Sequence, residues 1–227
     1  KVGSCFYSDV STFSFHPVKP ITTGEGGMIT TNDEKIYKKL ILYRTHGIHK
    51  KKNEFLNKKL AIDDNKKQNV WYYEMSDLGF NYRITDIQAA LGNSQLKKID
   101  KFIKERNEIA KIYNKGFKKN KLIQIPKIYD KVKHAFHLYT ILIDFKKLNK
   151  SRNEVMESLR KFNIGTQVLY IPVHFQPYYK KKYKFKSGDF PVAEHYYKYC
   201  LSIPIYPGIK KNEVNFIINK INTIVKN

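Results

Sequence analysis

The apolar residues of this chain change their spacing repeatedly along its length, and this alternation restricts the fold more than any other feature. Segments rich in β-branched and aromatic residues, typical of strands, are separated by segments whose apolar residues recur at helical spacing. The strand-like segments are residues 6–15, 26–31, 136–144 and 166–171, and the helix-like segments are 33–47, 85–116, 151–162, 189–200 and 211–225. This order predicts an α/β protein.

Two helix starts carry a capping box, in which the first and fourth side chains satisfy free backbone N–H groups. Thr85 pairs with Gln88 in this pattern, and Ser151 pairs with Glu154. Apolar residues at helical spacing follow the first box as far as Gly116, which predicts one helix of about eight turns. A helix of this length could bridge two domains.

Two further segments show neither spacing. Residues 48–70 contain seven lysines, at positions 50, 51, 52, 58, 59, 66 and 67. This solvated composition predicts a long, exposed, mobile loop that the fold does not need. Residues 201–208, LSIPIYPG, are interpreted only as a proline-bounded segment.

The net charge of +23 suggests an anionic partner. The excess is nearly all lysine, because arginine occurs only at positions 44, 83, 106, 152 and 160. These lysines are spread along the whole chain, whereas nucleic-acid-binding proteins rely on arginine forks and clustered basic stripes. A genome biased toward lysine, asparagine and isoleucine codons explains the charge, and we do not expect nucleic acid as a partner.

Other features of the sequence indicate the compartment. No apolar run approaches the roughly 18 residues of a membrane span, and no signal-peptide pattern is present. Cys5 and Cys200 lie far apart and have no metal-ligand spacing, so we expect a cytoplasmic chain with free thiols, no metal and no membrane partner. The chain begins at Lys1 within a strand-like segment, and we expect it to be a fragment.

Lys19 has a setting unlike that of the other lysines. Pro17 and Pro20 fix the backbone on both sides of it, and the glycines at 24, 26 and 27 allow a tight turn and a close approach of the backbone to a bound group. Ser14 offers a hydroxyl five residues earlier, which could hold a phosphate. Each of these features is weak alone, because a lysine in a Pro/Gly loop is common.

Four segments together carry a resemblance to a known family. They are SFHPVKPITTGEGG (14–27), LGFNYRITDIQAALGNSQL (78–96), TQVLYIPVHFQPYY (166–179) and LSIPIYPGIKKNEV (201–214). In this order they resemble the DegT/DnrJ/EryC/StrS family of nucleotide-sugar aminotransferases, and within it the transaminases of pseudaminic-acid synthesis. The resemblance covers nearly the whole chain, and its first two segments are the most specific.

The resemblance implies a cofactor, pyridoxal 5'-phosphate (PLP), and residues that hold it. Lys19 matches the family lysine that bonds covalently to PLP, and Ser14 matches a serine at the cofactor phosphate and substrate. Asn81 matches an asparagine that reaches across a homodimer interface to the partner's active site. The family's sugar dehydratases have histidine in place of the lysine, so Lys19 favours a transaminase.

The resemblance also implies a nucleotide-sugar site. Gln167, Val168, Leu169 and Tyr170 match a stretch that lines this site, and His174 lies just beyond it. His174 could instead be a packed loop histidine, and Tyr170, Tyr178 and Tyr179 could equally belong to the core.

Three residues near the cofactor have ordinary alternatives. Arg83 could bind a substrate carboxylate or diphosphate, or could pair with an acidic neighbour. Asn81 could be a turn residue before the long helix. Ser14 could simply hydrogen-bond within its own loop.

The implied fold is the C-terminal part of a fold-type I PLP-dependent aminotransferase. We expect residues 1–100 to be the C-terminal part of the PLP-binding large domain and residues 101–227 to be the small C-terminal domain. The family's preceding residues supply an aspartate for the pyridine nitrogen and an aromatic ring that stacks on the cofactor.

The implied activity is transfer of an amino group from L-glutamate to C4 of a UDP-linked 4-keto-6-deoxy amino sugar. Two alternatives come from other classes: an inactive truncated piece of such an enzyme, and a basic nucleic-acid-binding protein.

Overall fold

The computed structural model describes residues 1–226 and divides the chain into two compact units, of which the first ends at Lys97 and the second begins at Lys98. The first unit combines short strands with helices. Its elements are β1 (Ser11–Ser14), β2 (Gly27–Thr30), α1 (Glu34–Arg44), β3 (Ile48–His49), α2 (Lys58–Ala61), β4 (Glu74–Met75) and α3 (Asp86–Leu96). Strands β1 and β2 form an antiparallel pair, as do β3 and β4.

The long helix expected over residues 85–116 is wrong, because two helices occupy this range. The predicted capping box of Thr85 and Gln88 opens α3, which ends at Leu96. The next helix, α4, begins at Ile99. Residues of α3 are exposed or half-buried, whereas α4 buries one face in the second unit. The two helices therefore pack in different surroundings, and the break between them coincides with the boundary of the two units.

Residues 48–70 are also more ordered than expected. They contain β3, a 3-10 turn at Lys52–Glu54 and α2, and they contribute Phe55 and Ala61 to a small buried cluster with Tyr72. The carboxylate of Glu74 accepts the N–H groups of Leu56 and Asn57, both at 2.7 Å. The sequence did not predict this cluster, because its few apolar members are widely separated and lie among many lysines.

The second unit contains one antiparallel sheet and the helices that cover it. Its elements are α4 (Ile99–Phe117), β5 (Ile123–Gln124), β6 (Tyr139–Ile143), α5 (Phe145–Leu148), α6 (Arg152–Arg160), α7 (Pro177–Tyr183), α8 (Pro191–Tyr199), β7 (Cys200–Ile203) and α9 (Lys211–Ile224). The strand order is β5–β6–β7, with β6 in the centre. The capping box predicted for Ser151 and Glu154 opens α6.

The core of the second unit lies between the sheet and helices α4, α6 and α9. Tyr113, Ile141, Leu159 and Val214 are fully buried there. The fully buried phenol of Tyr113 donates to the carbonyl of Pro204 at 2.7 Å, which satisfies its polar end. The buried guanidinium of Arg106 donates to backbone carbonyls, including that of Ile205 at 2.9 Å. These bonds join α4 to the segment after β7.

Two expectations about strands in this unit are wrong. Residues 166–171 do not form a strand, because only Gln167 pairs, in a single antiparallel bridge with Ser202. Beyond Gln167 the chain runs toward Pro172, which has no N–H to donate, and a 3-10 turn at Val173–Phe175. The segment 201–208 instead supplies most of β7, whose four residues are buried on both faces and show no alternation. Among the described residues, no helix is long and apolar enough to cross a membrane.

Candidate active site

Lys19 lies in the loop of the β1–β2 hairpin. Ser14 pairs with Gly27 at the end of the hairpin, and the loop between them is closed at its base. The N–H of Phe15 donates to the carbonyl of Gly26 at 2.9 Å, and the N–H of Thr23 donates to the carbonyl of Phe15 at 3.0 Å. The structure thus confines the loop that carries Lys19 between two paired strands.

Within this loop, Lys19 belongs to a tight turn. Its N–H donates to the carbonyl of His16 at 2.9 Å, and Pro17 fixes the first inner position of the turn. Lys19 is half-buried, and its amine forms no hydrogen bond or ion pair with any residue among 1–226. A lysine held in this way can offer its amine to a group from outside the chain.

Ser14 is exposed at the end of β1. Its Oγ accepts the N–H of His16 at 3.4 Å, a long bond that shows the loop-bonding alternative. Its hydroxyl hydrogen remains available to a phosphate oxygen, since a serine hydroxyl both accepts and donates.

The hairpin loop also contacts the start of α3. The side-chain amide of Gln88 donates to the carbonyl of Glu25 at 3.1 Å. At Gly92 a Cβ atom would lie 2.8 Å from the Thr23 methyl, so the absence of a side chain lets the helix approach the loop. The segment that contains Asn81 and Arg83 leads directly into this helix.

Asn81 has extended backbone and is not a turn residue. It pairs with Thr45 in an isolated antiparallel bridge, and the neighbouring N–H of Tyr82 donates to the carbonyl of Arg44 at 3.0 Å. Gly47 and Gly79 bring the two backbones together just beside this bridge. A Cβ on Gly47 would lie 1.8 Å from the carbonyl oxygen of Asp77, so the approach requires glycine.

The side chains of Asn81 and Arg83 are exposed and have no hydrogen-bond or ion-pair partner within residues 1–226. The alternative in which Arg83 pairs with an acidic neighbour is therefore not seen. Both side chains are free to donate to an external anion.

In the second unit, the four residues expected to line a nucleotide-sugar site are accessible to different degrees. Gln167 and Tyr170 are exposed, Tyr170 to 65%, whereas Val168 and Leu169 are half-buried. Gln167 holds the segment against β7 through its backbone alone, because its N–H donates to the Ser202 carbonyl and its carbonyl accepts the Ser202 N–H. The side chains of Gln167 and Tyr170 can therefore contact a ligand.

His174, by contrast, is 7% exposed. Its ring packs against those of Phe175 and Phe190, with centroids 4.4 and 4.7 Å away, and its Nε2 lies within hydrogen-bond distance of the Glu194 carboxylate. These contacts support the alternative of a packed loop histidine.

Glu194 was not found by sequence reasoning, although it connects three segments. Besides His174, its carboxylate accepts the N–H of Gly188 at 2.8 Å and the hydroxyl of Ser187 at 3.3 Å. Burial alone would raise the pKa of Glu194, but the hydrogen bonds from Gly188, His174 and Ser187 outweigh burial and hold the pKa below its usual value. The available signal was an acidic residue in the first turn of a helix that begins with proline.

Residues 1–226 contain no group of three or more His, Cys, Asp or Glu side chains that could hold a metal ion. The side chains that the sequence nominates for a site are an amine, a hydroxyl, two amides, a guanidinium and a phenol, from Lys19, Ser14, Asn81, Gln167, Arg83 and Tyr170. Such groups suit an organic ligand that carries a carbonyl and a phosphate.

Comparison with known proteins identifies relatives along the whole chain. The spore coat polysaccharide biosynthesis protein SpsC of Bacillus subtilis is 39% identical over 219 residues, which cover 96% of this chain and 54% of SpsC. The UDP-4-amino-4,6-dideoxy-N-acetyl-beta-L-altrosamine transaminase of Campylobacter jejuni is 38% identical over 228 residues, which cover 100% of this chain and 54% of that protein. The chain spans about half the length of these curated relatives.

Solved structures agree with the sequence relatives. Helicobacter pylori PseC, an aminotransferase involved in the biosynthesis of pseudoaminic acid, matches with a TM-score of 0.82 at 32% identity over 96% of this chain and 54% of PseC. Spr1654 of Streptococcus pneumoniae in its PLP form matches with a TM-score of 0.81 at 26% identity over 98% of this chain and 53% of Spr1654.

A model of the DegT/DnrJ/EryC1/StrS aminotransferase family matches residues 1–222. The fold is part of an α/β aminotransferase fold, as expected from the sequence. The chain belongs to the DegT/DnrJ/EryC1/StrS aminotransferase family.

Proposed function

We propose that the complete polypeptide transfers an amino group from L-glutamate to C4 of a UDP-linked 4-keto-6-deoxy amino sugar, with PLP as cofactor. The observation that carries this proposal is the unpaired amine of the half-buried Lys19, which closes a turn that contains Pro17 and is followed by Pro20. The named relatives supply the substrate class, because one of them is a transaminase of a UDP-linked amino sugar.

The residues of the first unit fit PLP. A cofactor with an aldehyde and a phosphate needs an accessible amine and several donors without partners of their own. Lys19 supplies the amine, Asn81 supplies unpartnered N–H donors, and Ser14 supplies a hydroxyl. We assign Arg83, whose guanidinium is also unpartnered, to a carboxylate or diphosphate of the substrate. When bound, PLP supplies the electron sink for the amino transfer.

Lys19 has two tasks in this proposal. Its amine would hold the cofactor, and when free it would take the proton from Cα of the amino donor and later supply a proton to C4 of the sugar that accepts the amino group. Pro17 and Pro20 limit the motion of the loop, so that Nζ stays within reach of that proton. Ser14 and Asn81 position the phosphate by hydrogen bonds to its charged oxygens.

Residues of the second unit recognise the nucleotide sugar. We assign this role to Gln167, Val168, Leu169 and Tyr170, of which Gln167 and Tyr170 offer exposed side chains. A phenol and a carboxamide can donate and accept hydrogen bonds with sugar hydroxyls. His174 could bind substrate only if its contact with Glu194 were broken. We therefore assign it the role of a packed loop histidine that stabilises the second unit.

The first unit exposes large apolar side chains, such as Val2, Tyr7 and Val70, each above 90% exposed. Such exposure is unusual for a finished domain. We propose that residues 1–100 complete a PLP-binding large domain and that residues 101–227 form the small C-terminal domain. The enzyme works as a homodimer, in which Asn81 of one subunit serves the cofactor site of the other.

Free thiols at Cys5 and Cys200 fit a cytoplasmic enzyme. The decisive experiment is a visible absorbance scan of the complete polypeptide with PLP, before and after addition of L-glutamate. A band that shifts with glutamate and is restored by a UDP-linked 4-keto sugar supports the proposal. A protein that binds PLP but does not respond to glutamate would be an inactive relative.

A further inference from the structure

Helix α7 carries an exposed surface on which aromatic rings and positive charges are interleaved. Tyr178 is 63% exposed and Tyr183 is 53% exposed. Lys182 lies between them, with its Nζ 5.5 Å from the Tyr178 ring centroid and 5.4 Å from that of Tyr183. The same Nζ donates to the Tyr178 hydroxyl at 3.2 Å. These three side chains form one contiguous surface.

Four further exposed lysines lie on α7 or directly after it in the chain. They are Lys180, Lys181, Lys184 and Lys186. None of them, nor Lys182, forms an ion pair with a carboxylate in the described part of the chain. The two acidic residues that follow are engaged elsewhere, since Asp189 accepts the N–H of Lys186 and Glu194 accepts its bonds from His174, Gly188 and Ser187.

Other lysines also lie over rings, such as Lys127 over Tyr129 and Lys220 over Phe162 and Phe216. Helix α7 differs because it combines such contacts with three consecutive lysines, at 180, 181 and 182. A group of ammonium ions attracts phosphate, and an exposed aromatic face stacks on a planar base. A ligand that satisfies both features carries a base and phosphates in one molecule. A bare polyanion would use only the lysines.

We propose that Tyr178, Lys182 and Tyr183, together with Lys180, Lys181, Lys184 and Lys186, bind the nucleoside diphosphate of a nucleotide-linked substrate; we name these residues the α7 surface. The base stacks on an exposed tyrosine ring, and the diphosphate lies among the lysines. This inference rests on the proposed function and assigns the recognition of its nucleotide to a surface of which only Tyr178 lies within the four motif segments.

The position of the α7 surface in the chain agrees with this role. It follows the segment Gln167–Tyr170 by way of the turn at Val173–Phe175, and the N–H of Gln176 donates to Val173 at 3.0 Å to fix the connection. Glu194 holds the far end of the same region through Ser187 and Gly188. Both ends of α7 are therefore anchored within the second unit.

The test measures the dissociation constants of UDP and of inorganic pyrophosphate with the complete, PLP-loaded polypeptide. The double variant Tyr178→Ala/Lys182→Ala removes one ring and one charge from the α7 surface. Its matched control is Lys127→Ala/Tyr129→Ala, because Lys127 Nζ also lies over an exposed tyrosine, 5.5 Å from the ring centroid. Both double variants change the net charge equally.

We expect the α7 variant to weaken UDP binding about 10-fold or more, as loss of a stacking ring does, whereas the control changes it less than about 2-fold. UDP should also bind the unaltered protein more tightly than pyrophosphate does. The charge reversal Lys181→Glu/Lys182→Glu should weaken both ligands, and thermal melting confirms that each variant is folded.

Equal effects of the two double variants, no preference for UDP over pyrophosphate, or no binding of UDP would each overturn the inference. Equal binding of anionic lipid vesicles and UDP would identify a nonspecific anion surface and also overturn it. The glutamate-dependent absorbance change needs no nucleotide, so it reports on the proposed aminotransferase independently. A normal glutamate response with an unaffected α7 variant leaves that function intact and removes only this inference.

Discussion

His174 Nε2 lies 3.1 Å from Glu194 Oε1, and this contact ties the turn after the proposed substrate segment to the first turn of α8. The same carboxylate holds Gly188, at the end of the loop that follows α7. A histidine with these contacts contributes to stability, because its removal takes a buried ring out of the core and one donor away from the half-buried Glu194 carboxylate.

We therefore predict that His174→Ala destabilises the second unit by about 1–3 kcal/mol, the usual range for loss of a hydrogen bond to a charged group. Thermal melting of the complete polypeptide measures this effect. The KM for the nucleotide sugar should change little at temperatures where the variant is folded. An unchanged melting temperature with a strongly raised KM would return His174 to the substrate site.

Lys19→Ala should abolish amino transfer from glutamate to a UDP-linked 4-keto sugar. Borohydride should no longer fix the cofactor to the protein. Lys19→Arg should fail as well, because a guanidinium stays protonated and cannot act as the nucleophile. Mass spectrometry of borohydride-treated protein provides the measurement.

The matched control for this prediction is Lys39→Ala, since Lys39 is an exposed lysine of the same unit. It should retain full labelling and turnover. Full labelling of a different lysine in the Lys19→Ala protein would contradict the assignment.

Asn81→Ala should weaken PLP binding about 10-fold, since a hydrogen bond to a charged oxygen contributes roughly 1.5–3 kcal/mol. Asn81→Asp should weaken it further, because a carboxylate repels the phosphate. Titration of the apo-protein with PLP, with the dimer checked by sedimentation, gives the affinities.

Asn65→Ala serves as the control, because Asn65 is exposed in the same unit. Unchanged PLP affinity of Asn81→Ala in an intact dimer would leave Asn81 with only its backbone bridge to Thr45.

Gly47→Ala should destabilise the first unit by several kcal/mol. Gly47 has a φ of 69°, and an added Cβ would lie 1.8 Å from the Asp77 carbonyl oxygen. The strain of the left-handed backbone adds roughly 1 kcal/mol to this clash. Gly165→Ala is the control, because its Cβ would meet no atom within 4 Å. Similar melting temperatures for the two variants would show that the backbones near residues 47 and 79 can separate easily.

Acid should loosen residues 55–57. Burial raises the pKa of the Glu74 carboxyl, but the hydrogen bonds from Leu56, Asn57 and Tyr72 lower it by more, so its pKa lies below the usual value. Its stabilising contribution is complete above the unfolded-state pKa and is lost as the pH falls through the lower, folded-state pKa.

Hydrogen exchange at the amides of Leu56 and Asn57 measures this loss. Their protection should decrease at acidic pH, and Glu74→Gln should lower it at neutral pH and remove the pH dependence. Glu34→Gln, which alters an exposed i,i+4 pair with Lys38, should leave both amides unaffected. Protection that is independent of pH in the unaltered protein would contradict the prediction.

Local sequence signals predicted helices in both units. The capping boxes at Thr85 and Ser151 and the apolar face of α9 were confirmed, because each depends on residues within one or two helical turns. Strand β7 was missed for two reasons. Nearby prolines suggested an irregular segment, and burial on both faces removes the usual alternation of apolar and polar residues in a strand. The pairing of β7 with β6 depends on residues far away in the chain.

The same distinction applies to the candidate site. The prolines around Lys19 and the motif around Asn81 could be recognised locally. The role of Glu194 could not, since its partners His174, Ser187 and Gly188 lie 20, 7 and 6 residues away. The cluster of Phe55, Ala61 and Tyr72 was hidden for the same reason.

The bridge between Gln167 and Ser202 limits how the proposed substrate segment can be redesigned. Strand β7 ends the sheet, and an uncovered apolar strand at a sheet edge recruits strands from other molecules. The segment around Gln167 shields this edge through two backbone bonds, which do not depend on side-chain identity. Side chains at 168–170 can therefore be exchanged without opening this edge, whereas an insertion or a proline at 167 would expose β7 and promote aggregation.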